Sequence, residues 1–219
     1  MRFARLCVVA FALVLLPALA RADQIVGFGQ LGSLNTFFAT NNGDGTTSLD
    51  VTSGVSITNI ITGATDPNAL FTFEAESINA ASLLGGSIIT QQFEGTFNLT
   101  NAAGTFSYLN GVFGGALMLG GNGGTGSLFT ANTALLSPLT LGTDLAVVLL
   151  NPESFSLSLS NVTPPFSIVG DSIGSFSASY TGTADATVEL AAVPEPASLM
   201  LLGTGLVGLA ARARKRLQR

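Results

Sequence analysis

The sequence predicts an all-β protein, built as an antiparallel two-sheet sandwich or a jelly-roll-like domain. Apolar and polar residues alternate with a period of two along most of the interior, as in 155–160, where Phe and Leu alternate with Ser. Gly- and Asn-rich segments such as 41–45 and 120–126 separate these runs and are typical of turns. No interior segment carries a long apolar stripe with the helical period. Many one-sided strands bury their apolar faces well between two packed sheets. A β-solenoid is the alternative, although no fixed repeat period supports it.

Each predicted strand has one apolar and one polar face. Phe71 and Phe73, for example, share a face, while Glu74 and Glu76 share the opposite one. Glycines and clusters of turn residues end the strands and keep them short. In chain order, the predicted strands are Gln24–Gly29, Thr46–Val51, Val55–Ile60, Phe71–Glu76, Phe93–Thr100, Thr105–Leu109, Val112–Leu119, Leu145–Leu150, Ser154–Ser160, Ser175–Thr181 and Ala184–Leu190.

The charged residues are distributed very unevenly. All eight Lys and Arg residues lie in the end segments 1–21 and 212–219, and the chain has no His. Residues 23–192 contain twelve of the thirteen Asp and Glu residues, so their formal charge is near −12. The composition therefore excludes nucleic-acid binding, which depends on cations that meet phosphate. It also excludes Ser-His-Asp and Ser-Lys catalysis and His-based zinc sites. Cys7, the only cysteine, lies in the N-terminal segment, so the domain has no disulfide.

The N-terminus has the three parts of a secretory signal peptide. Arg2 and Arg5 precede the apolar run 6–16, and an Ala-Arg-Ala tripeptide ends at Ala22. We therefore predict that signal peptidase cleaves between Ala22 and Asp23, with a competing small-residue site two residues earlier. The alternative is an uncleaved anchor, but the apolar run is shorter than the roughly 20 residues that span a membrane.

The C-terminus combines a proline motif, an apolar segment and a basic end. Pro194, Glu195 and Pro196 precede the apolar segment 198–211, which would be about 21 Å long as a helix. This is short for a hydrocarbon core of about 30 Å, and snorkelling cations or local thinning would compensate. The basic end should stay in the cytoplasm and leave the domain on the opposite side of the membrane. A simple tail anchor is the alternative. The basic residues are Arg212, Arg214, Lys215, Arg216 and Arg219.

This order of parts resembles the PEP-CTERM sorting signal of Gram-negative bacteria. The resemblance covers 193–219, with the motif at 193–197, the membrane helix at 198–211 and the basic stop-transfer tail at 212–219. It implies recognition and cleavage by an exosortase, a membrane-embedded protease-transpeptidase. It also implies export to the cell surface or extracellular matrix, through an inner-membrane intermediate, in bacteria that make exopolysaccharide and biofilm. The predicted organisation is then a signal peptide at 1–22, an acidic β-rich extracellular domain at 23–192 and the sorting signal at 193–219.

Carboxylates are the only side chains of the domain that suit catalysis. Glu74 and Glu76 share a strand face, and with Glu94 or Glu153 they could form the carboxylate pair of a glycosidase. The simpler interpretation is a solvated, mutually repelling set on the wet face of a sheet. We therefore predict no catalytic residues.

The only metal-site candidate in the sequence is the Asn-rich turn at 41–46. Asn42, Asp44 and Thr46 resemble the start of a calcium loop, but no glutamate follows at the required distance. A plain hairpin turn explains the same residues. We predict no cofactor and no specific metal site, although so many carboxylates without cations would in general favour calcium.

Together these features predict an exported, non-enzymatic surface or matrix protein associated with exopolysaccharide or biofilm. Its processing partners would be signal peptidase and an exosortase, and its Ser-, Thr- and Asn-rich faces could contact polysaccharide. The alternative is a carbohydrate-binding module on the same fold. Such modules generally expose aromatic rings, but the chain has no Trp and its only tyrosines are Tyr108 and Tyr180.

Overall fold

The computed structural model describes residues 23–132, 140–141 and 148–189. Every regular element in these ranges is a β-strand, which confirms the all-β prediction. The strands are β1 (Asp23–Gln30), β2 (Phe37–Asn41), β3 (Thr47–Ile60), β4 (Asp66–Ser77), β5 (Ser82–Leu84), β6 (Ile88–Thr100), β7 (Ser107–Gly121), β8 (Ser127–Asn132), β9 (Thr140–Leu141), β10 (Val148–Thr163), β11 (Ile168–Val169), β12 (Ser172–Ile173) and β13 (Phe176–Glu189).

Eight of these strands form a closed antiparallel barrel. The chain runs up and down through β1, β3, β4, β6, β7, β8, β10 and β13, each of which pairs with the next. The last strand then pairs with the first, from Asp23 with Ala186 to Gly29 with Thr181. The sandwich or jelly-roll prediction is therefore not supported. Period-two alternation marks an inner and an outer face, and both a sandwich and a barrel have such faces.

The barrel interior is filled by aromatic side chains from strands on opposite sides of the ring. Phe97 of β6 and Phe155 of β10 stack with their ring centroids 3.9 Å apart. Phe73 of β4 meets Phe129 of β8 edge-to-face at 5.2 Å. These four rings are 3% exposed or less. Because such packing fills the centre, the barrel offers its outer surface and its two ends for contacts with other molecules.

Several long strands replace pairs of short ones in the prediction. Thr46–Val51, except for its first residue, and Val55–Ile60 lie in β3. Ser175–Thr181 and Ala184–Leu190 belong largely to β13. The predicted breaks came from glycines, but Gly182 continues β13 and faces the barrel interior. A Cβ atom there would lie 2.2 Å from Cζ of Phe28. Glycine is therefore required for close packing at this position, not for a turn.

The two ends of the barrel differ in what they carry. The end called here the proximal pole holds the start of β1, the connections 61–65 and 101–106, and the end of β13. The distal pole holds the connections 42–46, 78–87, 122–126 and 164–175. Because Asp23 pairs with Ala186, the described chain starts and ends at the same pole.

The connection 164–175 covers the distal pole. Phe166 and Ile173 of this segment are fully buried. The Gln91 side chain accepts a hydrogen bond from the backbone N–H of Ile173 at 3.0 Å, and the Thr47 hydroxyl donates to the Ile173 carbonyl at 2.7 Å. These buried polar side chains fix the segment to the ends of β3 and β6.

Tyr180 predicts how stability responds to alkaline pH. It is 2% exposed, and its hydroxyl lies 2.7 Å from Oγ of Ser53. Burial raises the pKa of Tyr180 to about 12, although the Ser53 hydrogen bond acts in the opposite direction. The unfolded chain, with a tyrosine pKa of about 10, loses this proton first. The stabilisation is therefore complete below pH 10 and is lost as pH rises towards 12, by up to about 1.4 kcal/mol per pH unit.

Urea unfolding of residues 23–192 between pH 8 and pH 12 checks this expectation. The Tyr180→Phe variant should lose stability less steeply above pH 10 than the wild type. Tyr108→Phe should change the slope in the same direction but by less, because solvent screens a half-buried group. Burial, and then the hydrogen bond and charge of Asp66, raise the pKa of Tyr108 to about 12 as well, but this side chain is only half-buried. Parallel slopes for wild type and Tyr180→Phe would contradict the role assigned to Tyr180.

Candidate functional site

Four carboxylates form an acidic patch on the outer surface of the barrel. Asp50 of β3 pairs with Glu74 of β4, and Glu76 of β4 pairs with Glu94 of β6. They line a shallow surface cleft of about 610 Å³, with Gly95 in its floor. A Cβ atom at Gly95 would lie 2.1 Å from the carbonyl oxygen of Glu74. The missing side chain therefore lets β4 and β6 approach closely beneath the patch.

The structure brings together only part of the predicted carboxylate group. Glu74, Glu76 and Glu94 lie side by side and are all exposed. Glu153 belongs to β10 and is 4% exposed, on the same inward face as Phe155. A glycosidase places a shielded carboxyl and a second carboxylate on the two sides of a sugar ring. The patch instead presents its carboxylates side by side on one open surface, exposed to solvent.

Asn42, Asp44 and Thr46 form the hairpin turn between β2 and β3. The Asp44 carboxylate accepts hydrogen bonds from the hydroxyl of Thr46 at 2.7 Å and from its backbone N–H at 3.0 Å. These bonds, the hydroxyl bond first, lower the pKa of Asp44. Asn42 donates its amide to Thr46 and Ser48. One carboxylate oxygen of Asp44 and the Thr46 hydroxyl are thus engaged within the turn. The described residues contain no cluster of three or more Asp, Glu, His or Cys that could hold a metal ion.

A ladder of hydroxyl groups covers the outer faces of β10 and β13, and it is called the hydroxyl face below. Ser156 lies opposite Thr183, with their hydroxyl oxygens 2.9 Å apart. The alternation of Ser with Phe and Leu was visible in the sequence, but the pairing of the two polar faces was not. The cross-strand pairs of the hydroxyl face are Ser156 with Thr183, Ser158 with Thr181, and Ser160 with Ser179.

One aromatic ring lies on the outer surface beside the hydroxyl face. Phe38 of β2 is 49% exposed and pairs with Ser177 of β13 on one side and Asp50 of β3 on the other. The sequence analysis missed it, although its position next to Phe37 in an alternating strand was a signal. Tyr180 is buried, whereas Tyr108 is half-buried and donates its hydroxyl to Asp66 at 2.7 Å.

Almost all residues of the predicted processing segments lie outside the described residues. This holds for Ala22, for Pro194, Glu195 and Pro196, and for the basic tail, as it does for the predicted signal peptide and C-terminal helix. Asp23 is the first described residue and opens β1. Among the described residues, no helix has the length and apolar character needed to cross a membrane.

The sequence limits how far the proline motif can lie from the barrel. Four residues separate Glu189, the last residue of β13, from Pro194. A fully extended chain of this length spans at most about 18 Å. Glu189, from which this length is counted, lies at the proximal pole.

Comparison with known families identifies the C-terminal segment. The family model described as the PEP-CTERM protein-sorting motif matches residues 192–215. The matched range includes the proline triplet, the apolar segment and the start of the basic tail, and it confirms the predicted sorting signal. No curated protein and no solved structure matches the chain.

Proposed function

We propose that this PEP-CTERM sorting protein, exported to the cell surface or extracellular space as an exosortase substrate, is a non-enzymatic matrix protein that contacts exopolysaccharide. The sorting motif at 192–215 carries the export and the exosortase step. The contact with polysaccharide is assigned to the hydroxyl face and the adjoining Phe38. Signal peptidase would act at Ala22, and the membrane intermediate would be held by the segment 198–211.

The outer surface is the natural place for such a contact because phenylalanines fill the barrel interior. On the hydroxyl face, successive outward side chains along a strand are about 6.6 Å apart, and neighbouring strands are about 4.8 Å apart. The face therefore offers a regular array of donors and acceptors to a polymer that itself carries hydroxyl groups. Its exposed members include Ser160 and Thr181.

Phe38 adds an apolar ring at the edge of this array. Its direct partner across the strands is Ser177 of β13, so the ring and the hydroxyl groups share one outer surface. An exposed ring can cover the apolar face of a sugar while the nearby hydroxyl groups bond to its edge. The position of Phe38 also supports the alternative of a dedicated carbohydrate-binding module, which differs from the matrix role in requiring one selective ligand.

The position of the hydroxyl face along the barrel supports a role at the surface. The sorting motif follows closely on the proximal pole, whereas β13 extends over 14 residues away from it. At about 3.3 Å per residue, this strand is about 46 Å long. On β13, the hydroxyl-face residues Ser179 and Thr181 lie in the half of this strand nearer the distal pole.

Adsorption of purified residues 23–192 to the producer's own exopolysaccharide tests the proposal. We expect the wild type to bind and the triple variant Phe38→Ala, Ser160→Ala, Thr181→Ala to bind at least about tenfold more weakly, because an aromatic contact and two hydrogen bonds together exceed 1.4 kcal/mol. The matched control is Thr96→Ala, which removes an exposed hydroxyl from β6 on the opposite side of the ring.

The outcomes separate the possible roles. Equal binding of the triple variant and the wild type would overturn the assignment of the hydroxyl face, and no binding to any polysaccharide would overturn the contact itself. Saturable binding to a single glycan on an array would favour the dedicated module. Release of soluble sugar that disappears in Glu74→Gln and Glu94→Gln variants would contradict the non-enzymatic role.

A further inference from the structure

The outward side chains change character around the barrel. On β10 and β13 they are mostly Ser and Thr. On the parts of β6, β7 and β8 near the distal pole they include Ile and Leu. Leu119 of β7 pairs with Leu128 of β8 on one side and Thr90 of β6 on the other. Leu128 is 41% exposed, and Ile88 at the start of β6 is 42% exposed. Water-facing leucines on adjacent strands form an apolar patch that the fold of the monomer does not require.

These residues, together with β5, form a surface without charge that is called the neutral face below. Between residues 77 and 143 the only charged residue is Glu94. It lies in the acidic patch, further along β6 towards the proximal pole. Leu84 of β5 is 61% exposed, and β5 pairs with β6 alone in the described part of the chain. The outward residues of the neutral face are Leu84, Ile88, Thr90, Gln92, Leu117, Leu119, Leu128 and Thr130.

We propose that the neutral face binds a second copy of this chain in a symmetric dimer. Residues 23–192 contain no Lys, Arg or His, so two copies that meet through the acidic patch bring carboxylates together without any compensating cation. The neutral face lets two copies approach without that repulsion. It is also self-complementary, as a two-fold contact requires, because apolar side chains meet apolar side chains.

Other occupants fit this surface less well. A polysaccharide would lack an aromatic ring to stack on, because the neutral face carries only Leu and Ile as its apolar side chains. An anionic membrane would find no cation on this face to attract it, and the neutral face lies towards the distal pole, away from Glu189. The proposal stands apart from the contact with polysaccharide, since the two use different strands.

The size of the neutral face sets the expected strength of the dimer. Four strands spaced by about 4.8 Å are about 19 Å wide, and the five residues from Ile88 to Gln92 are about 17 Å long at about 3.3 Å per residue. The neutral face therefore covers about 320 Å², which is below the roughly 800 Å² per partner of standard interfaces. We therefore expect a weak, concentration-dependent dimer. Each copy has a formal charge near −12, so added salt should strengthen the dimer by screening the remaining repulsion.

Sedimentation velocity of purified residues 23–192 over a concentration series, at low and high salt, tests the proposal. This chain contains every strand and the whole described core. The Leu128→Glu variant should raise the dimer dissociation constant by at least about a hundredfold, because two leucine contacts are lost and two carboxylates face each other. The matched control is Thr52→Glu, which adds the same charge to an exposed position on β3, opposite β8 in the ring. It should dimerise nearly as well as the wild type.

Three results would overturn the proposal. The first is a wild type that stays monomeric up to its solubility limit, and the second is a dimer that survives Leu128→Glu. The third is a monomer whose Leu128→Cys variant resists thiol labelling, which would assign the face to another segment of the same chain. The triple variant used for polysaccharide binding should still dimerise, so failure of one proposal is distinguishable from failure of the other.

Discussion

The Phe73→Ala variant should lose about 3–5 kcal/mol of the free energy of unfolding. Phe73 is 1% exposed and lies at the centre of the aromatic core, so its loss opens a cavity that neighbouring rigid rings cannot fill. Because domains of this size are stable by about 5–15 kcal/mol, the variant should approach the limit of folding. The rings with centroids within 6.5 Å of Phe73 are Phe37, Phe71, Phe113, Phe129 and Phe155.

Urea unfolding of Phe73→Ala beside Phe38→Ala measures this effect with a matched control. Both variants remove the same ring, but Phe38 is half exposed on the outer surface, so its loss should cost less than about 1 kcal/mol. Comparable losses in the two variants would contradict an interior organised around Phe73. The comparison requires equal slopes with denaturant, because a changed slope reports a changed unfolded state.

The second large effect is expected at the sorting motif. Replacement of Pro194, Glu195 and Pro196 by alanines in the full-length chain should abolish release of the protein and leave it in the membrane fraction. Proline disfavours helix and favours extended backbone in the residue before it, and a processing enzyme requires an extended, accessible chain. The measurement is immunoblotting of membrane and medium fractions from a host that contains an exosortase.

Two controls isolate the processing step. A chain that ends at residue 192 keeps the whole barrel but lacks the sorting segment, so it should be released whether or not the exosortase is present. Deletion of the exosortase should reproduce the effect of the alanine triplet on the full-length chain. Release of the triplet variant at the wild-type level would show that this motif does not direct processing.

Features that depend on short stretches of sequence were predictable. The alternation around Phe71 and Phe155 identified which side chains point inward, because a strand places successive residues on opposite faces whatever it pairs with. The charge distribution excluded whole classes of function without any structure. The sorting signal was recognisable because its three parts are contiguous between 193 and 219, and the family match at 192–215 confirms it.

The candidate sites were only partly predictable because they depend on which strands become neighbours. Glu74, Glu76 and Glu94 do meet, since β4 and β6 pair directly. Glu153, in contrast, lies inside the barrel on β10, which pairs with β8 and β13 and not with β4 or β6. The outer position of Phe38 depends on the pairing of β2, which lies between β3 and β13 just as β1 does.

The sequence by itself determined that the chain is β-rich, acidic, free of cations in its domain and addressed for export, because each of these properties is local or compositional. Only the tertiary structure decided that the strands close into one barrel. Closure requires Asp23 to pair with Ala186, at the opposite end of the domain. It depends on the accumulated tilt and twist of eight strands, and on the removal of two unpaired edges at once. The sequence of a single strand does not show the tilt, twist and closure of the whole sheet. For that reason the period-two pattern was equally compatible with a sandwich.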